Sequence, residues 1–115
     1  MPSPLTTHVL DTAAGRPAAG IAIQLARLDD AEQWQPLAES TTDADGRSAS
    51  LLAGQSTLAP GTYRLTFQVA AYFQARQVDS LFTAIPVVFT IRSPQEHVHV
   101  PLLLSPFGYT TYRGS

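Results

Sequence analysis

The sequence predicts an all-β sandwich of seven to eight strands with one short helix. Three observations carry that expectation. Short β-favouring segments recur at roughly even spacing, with Pro- and Gly-bearing turns between them. In the better segments apolar residues fall at every second position, as a strand with one buried face requires. Only one stretch lacks breakers and is rich in helix formers. The 115 residues make one domain, 1–115, and are too few for two.

Taken in order, Leu5 to Leu10 is a short strand ended by Asp11 and the turn-like Gly15-Arg16-Pro17. Ile21 to Leu28 follows, with Ile21, Ile23 and Leu25 sharing a face at period two. Trp34 to Ser40 is a weaker strand. Asp43-Ala44-Asp45-Gly46 reads as a turn in which Gly46 supplies the positive φ. Ala59-Pro60-Gly61 marks another turn, and Tyr63 to Val69 alternates well. The helix is placed at Ala70 to Val78. Val87 to Ile91 and His97 to Leu104 are the two strongest strands, and Gly108 to Tyr112 is the last.

Composition narrows the chemistry. Hydrophobic residues make up 44% and charged residues 14%, too apolar for a disordered chain, and no run approaches the ~18 apolar residues of a membrane span. So little charge on so small a body points to an oligomer. A net charge of −2 offers no basic patch for nucleic acid or anionic lipid. There is no cysteine, which excludes disulfides, thiolate catalysis and Cys-ligated metals. There is no lysine either, which removes Schiff bases and Walker-type phosphate loops. Acid–base work is left to three histidines, nine carboxylates and four tyrosines. Met1-Pro2-Ser3-Pro4 has neither the positive charge nor the apolar run of a signal peptide, so a soluble intracellular (cytoplasmic) protein is expected.

His97-Val98-His99-Val100-Pro101-Leu102-Leu103-Leu104 is the most informative segment. Alternation puts Val98, Val100, Leu102 and Leu104 on the core face. His97 and His99 then fall on the other face, about 6–7 Å apart. They are either solvated surface residues or a site. A metal reading of this pair plus His8 lacks carboxylates or cysteines at ligand spacing nearby, so no metal and no cofactor are expected.

Pro101-Leu102-Leu103-Leu104-Ser105-Pro106-Phe107-Gly108-Tyr109-Thr110-Thr111-Tyr112-Arg113-Gly114-Ser115 resembles the C-terminal signature of the 5-hydroxyisourate hydrolases, the transthyretin-related enzymes of urate breakdown. Thr7-His8-Val9-Leu10-Asp11-Thr12 with Gly15-Arg16-Pro17-Ala18 resembles the N-terminal signature of that family, and Asp45-Gly46-Arg47 its central one. The likeness runs the length of the chain. Transthyretin, the hormone carrier, shares the Leu-Leu-Ser-Pro ending but lacks the Tyr-Arg-Gly-Ser finish. Between the histidines Val98 replaces the usual aromatic, and Ala71 to Gln77 departs from a glycine-containing version.

The resemblance implies a transthyretin-like (prealbumin-like) sandwich. It also implies a homotetramer built as a dimer of dimers, with a channel where the dimers meet. It implies a metal-independent cyclic amide hydrolase that converts 5-hydroxyisourate to 2-oxo-4-hydroxy-4-carboxy-5-ureidoimidazoline on the way to allantoin. Carried over by motif, the catalytic residues are His8, Arg47, His99 and Ser115, with His8, Arg47 and Tyr112 binding the purine-derived substrate. Such a hydrolysis needs water deprotonated, an oxyanion stabilised and a nitrogen leaving group protonated. Two imidazoles titrating near neutrality divide the proton transfers, and a planar arginine suits an imide-like edge. With neither Cys nor Lys, direct water attack is expected, though Ser115 leaves a covalent route open. The contrasting expectation is a non-catalytic small-ligand carrier on the same fold.

Overall fold

Alternation of apolar and polar side chains builds nearly every strand of the computed structural model, which describes residues 3–48, 51–52, 55 and 57–115. The elements are β1 (Leu5–Asp11), β2 (Arg16–Pro17), β3 (Ala22–Leu28), β4 (Trp34–Thr41), β5 (Gly61–Gln68), α1 (Ala70–Ala75), β6 (Ala84–Ile91), β7 (Val98–Ser105) and β8 (Gly108–Thr111). They form two four-stranded sheets, β2-β1-β7-β8 and β4-β3-β5-β6. The expected sandwich is what the chain forms. Met1 and Pro2, on which the leader expectation partly rests, lie outside the described residues. No described helix is long and apolar enough to cross a membrane.

The core lies between the sheets. Val9, Leu102 and Leu104 enter it from the first sheet, and Ile23, Leu25, Leu65, Phe67 and Ile85 from the second. Each is at most 1% exposed, so each side chain contributes about 1.5–3 kcal/mol by burial. Val98 and Val100 are buried as the period of two requires, and His99 points away with Thr6 and His8 of β1.

Among the described residues, only the pairing of β1 with β7 is parallel. It runs in register from Leu5 opposite Val98 to Asp11 opposite Leu104. Thr6 therefore lies beside His99, and His8 beside Pro101. All other strand pairs are antiparallel.

Most element ends shift by a residue or two from the sequence expectation, and four differences are instructive. Arg16–Pro17, expected in a turn, also pairs with Asp11 and Leu10 as β2. The helix stops at Ala75 rather than Val78, because Gln77 turns to a left-handed φ of 58°; its N–H donates to the Gln74 carbonyl, and the Val78 N–H closes the end on the Phe73 carbonyl. β6 begins at Ala84, three residues before Val87, and so takes in Pro86. As an edge strand it has one side on which no ladder donor is needed. β7 starts at Val98, which leaves His97 exposed just ahead of it.

Tyr72 of α1 ties the helix to the end of β1. Its hydroxyl donates to Asp11 Oδ2 at 2.7 Å, and the Ala14 amide donates to Oδ1 at 2.9 Å. Asp11 is only 3% exposed, so both bonds serve a buried carboxylate. Burial and that carboxylate push the Tyr72 phenol up to about 12.

Candidate active site

Three distant segments meet at one end of the first sheet. The outward face of β1 supplies Thr6 and His8. The turn at 43–46 then docks on the free edge of β1, where the Val9 amide donates to the Gly46 carbonyl at 2.8 Å and His8 forms a bridge with Arg47. Asp43 shapes the turn: its Oδ1 accepts from the Asp45 amide at 2.9 Å and the Arg47 amide at 3.1 Å. Gly46 is required twice over. Its φ is 76°, and a Cβ there would overlap the Val9 carbonyl oxygen. Beyond β8 the chain folds back on β7, and the Gly114 amide donates to the His99 carbonyl at 2.8 Å.

The result is a shallow depression of about 390 Å³ lined by Thr6, Arg47, His97, His99 and Ser115 among others. His8 flanks it, near enough for its charge and that of Arg47 to act on His99. Burial is the main cause that holds the His99 pKa below the ordinary 6.5, and the positive charges of Arg47 and His8 add to it. His99 is thus a neutral imidazole at neutral pH.

His8 Nε2 lies 2.8 Å from the Asp45 carbonyl oxygen. A carbonyl only accepts, so Nε2 carries hydrogen and, in the neutral ring, Nδ1 holds the lone pair. Arg47 and Ser115 are exposed in the single chain. The arrangement offers a base, a second proton carrier and a fixed positive charge.

The structure brings together four of the five expected residues: His8, Arg47, His99 and Ser115. Tyr112 stands apart within the chain. It is 53% exposed and lines a separate groove of about 270 Å³ with Val87, Phe89, Thr111 and Arg113. Arg113 reaches Glu96 at 3.5 Å and so ties the tail to the segment before β7.

Sequence reasoning missed Thr6, whose hydroxyl lies 2.9 Å from His99 Nδ1. The only local signal was that it shares the face of His8 two residues on. It also missed Gly114, which packs on the His99 ring. A larger groove on the outer face of the second sheet holds Arg64 over the Trp34 ring at 4.5 Å, with Glu39 and Gln24 nearby, and contains no histidine. Among the described residues, no three His, Asp or Glu side chains are grouped to hold a metal ion.

Fold and site together define a class: a two-sheet, transthyretin-like sandwich with histidines and an arginine gathered at one end of a sheet. The chain belongs to the HIUase/Transthyretin family, whose model matches residues 5–114. A mouse protein named 5-hydroxyisourate hydrolase is 51% identical over 114 residues, covering 98% of this chain and 96% of its own length. The solved 5-hydroxyisourate hydrolase of Klebsiella pneumoniae is 38% identical with a TM-score of 0.82, covering 96% of this chain and 98% of that one. Sea bream transthyretin, solved in complex with thyroxine, is 31% identical with a TM-score of 0.91, covering 97% and 95%.

Proposed function

We propose that this chain hydrolyses 5-hydroxyisourate, opening its six-membered ring at an acyl C–N bond to give 2-oxo-4-hydroxy-4-carboxy-5-ureidoimidazoline. The observation that supports it most is the gathering of His8, Arg47 and His99 from three segments up to 91 residues apart around one depression. His99, neutral at working pH, takes a proton from water, and the hydroxide adds to the acyl carbon. The Arg47 guanidinium stands by the developing oxyanion and binds the carbonyl-rich edge of the ring. His8, whose Nε2–H is held by the Asp45 carbonyl, can carry a second proton on Nδ1 and give it to the leaving nitrogen. Ser115 supplies a hydroxyl at the rim.

The close fit to a thyroxine-bound transthyretin favours the carrier reading on shape alone, and fold does not fix function. A carrier of an apolar hormone has no use for three polar groups arranged for proton transfer. The higher identity to proteins named as hydrolases supports the enzyme.

The proposal includes a homotetramer, a dimer of dimers. Phe107, Tyr109 and Tyr112 are 67%, 40% and 53% exposed within six residues of each other. Edge strands β6 and β8 are open to pairing. In such an assembly Tyr112 meets substrate from a neighbouring copy, since it does not line its own chain's depression. A cytoplasmic location belongs to the same reading. The test is ultraviolet absorbance: 5-hydroxyisourate made in situ by urate oxidase should vanish faster when the protein is added. Unchanged decay refutes the reading, and a stable monomer in sedimentation at micromolar concentration refutes the tetramer.

A further inference from the structure

The His99 ring is gripped on two sides. Thr6 Oγ1 lies 2.9 Å from Nδ1. On the opposite side Gly114 sits so close to Cδ2 and Cγ that a Cβ there would overlap the ring. Only the edge carrying Cε1 and Nε2 remains for the depression that His99 shares with Arg47 and Ser115. The grip follows from the fold, because the parallel register sets Thr6 directly beside His99 and both point outward.

A neutral imidazole carries one proton, and which nitrogen holds it decides what the ring can do. With the proton on Nε2, the exposed edge is a donor and cannot accept a proton from water. With the proton on Nδ1, Nε2 is a base. A threonine hydroxyl can pair with Nδ1 in either sense. The depression breaks the tie: Arg47 lines it and can only donate, so a lone pair on Nε2 suits that edge where an N–H would not, and Nδ1 is left to donate to the Thr6 hydroxyl.

We propose that Thr6 is a positioning residue that holds the proton of neutral His99 on Nδ1 and so leaves the Nε2 lone pair facing the depression. The kinetic consequence rests on the hydrolase reading; the proton's position does not.

Thr6→Val is the test, being isosteric and still β-branched, so the strand keeps its preference. Thr6→Ser restores the hydroxyl. Nitrogen-15 spectra of the imidazoles, with His99 assigned by comparison with His99→Asn, should show the Nδ1–H tautomer in the unaltered protein. Thr6→Val should shift the tautomer ratio about 3- to 10-fold towards Nε2–H, the change one neutral hydrogen bond sustains. It should lower kcat/KM by a similar factor, mostly in kcat, and move the acid limb of the pH profile to lower pH. Thr6→Ser should recover both.

An Nε2–H tautomer in the unaltered protein overturns the proposal, as does an unchanged tautomer ratio in Thr6→Val. If Thr6→Val does not fold, the tautomer of the unaltered protein and of Thr6→Ser decides alone. A protein that never accelerates 5-hydroxyisourate decay refutes the hydrolase reading while the spectra still judge Thr6.

Discussion

Gly114→Ala separates geometry from stability more sharply than any substitution of a titrating residue. A Cβ at 114 would lie 3.2 Å from His99 Cγ and 3.1 Å from Pro101 Cγ, and closer still to His99 Cδ2. Pro101 belongs to a β7 that is paired on both sides and cannot retreat, so the imidazole or the tail must move. Gly114 has no left-handed φ, so alanine meets no backbone penalty there. The loss should therefore be confined to placement. A shift of about 1 Å in a reacting group costs on the order of 10²-fold in rate. Folding should change by less than about 1 kcal/mol, because the tail lies outside the core. Gly20→Ala is the converse: its Cβ would meet nothing within 4 Å, but its φ is 83°. Alanine in that conformation costs about 1–2 kcal/mol and should leave the rate intact. Steady-state decay of 5-hydroxyisourate absorbance and thermal unfolding of both variants form the assay. Full activity in Gly114→Ala would refute the view that the tail holds the His99 ring in place.

Three further outcomes follow from the same geometry. His99→Asn should keep its fold and lose about 10²–10⁴-fold in kcat/KM, as expected for a missing general base, checked by circular dichroism beside kinetics. Because burial first and then positive neighbours lower the His99 pKa, kcat/KM should stay flat at neutral pH and fall with an apparent pKa below 6.5. The sign for stability is the same: both states hold neutral His99 above 6.5, and below it the unfolded chain binds the proton first, so folding weakens on acidification. Tyr72→Phe should cost about 1.5–3 kcal/mol in urea titration, since Asp11 loses a donor to a buried carboxylate, with activity unchanged. The unaltered protein should also lose stability as pH rises from 10 towards 12, where the unfolded phenol ionises before the folded one, and Tyr72→Phe should reduce that loss, the remainder belonging to Tyr63, whose phenol burial also raises.

Much of this was legible in the chain because the signals were local. Period-two alternation gave Ile23, Leu25, Leu102 and Leu104 their faces, and Asp43 to Gly46 gave the turn that carries Arg47. Boundaries failed where a neighbour outranked propensity. Nothing in Gln77 announces a left-handed residue, and Pro86 reads as a breaker unless the strand is known to be an edge. Motifs name His8, Arg47, His99 and Ser115, and the fold brings these four to one end of a sheet. No motif names Thr6, since its meaning depends on a parallel register with a strand 93 residues away, which no local pattern encodes. Tyr112 shows the same limit in reverse: the motif names it, and the single chain leaves it outside the depression.

The parallel β1–β7 pairing also sets an order of events during synthesis. A ribosome delivers Leu5, Val9 and the two side chains of the site on β1 first, and their partner strand only after some ninety further residues. Until then β1 is an unpaired strand with apolar side chains, the kind of segment that invites aggregation. The antiparallel β3-β4 and β3-β5 pairs need no such wait. The second sheet is therefore free to form co-translationally, while the first waits for β7, and pairing across so long a loop is slow. Emergence of activity should mark the final step of folding, and the nascent chain has reason to engage a chaperone through its first strand.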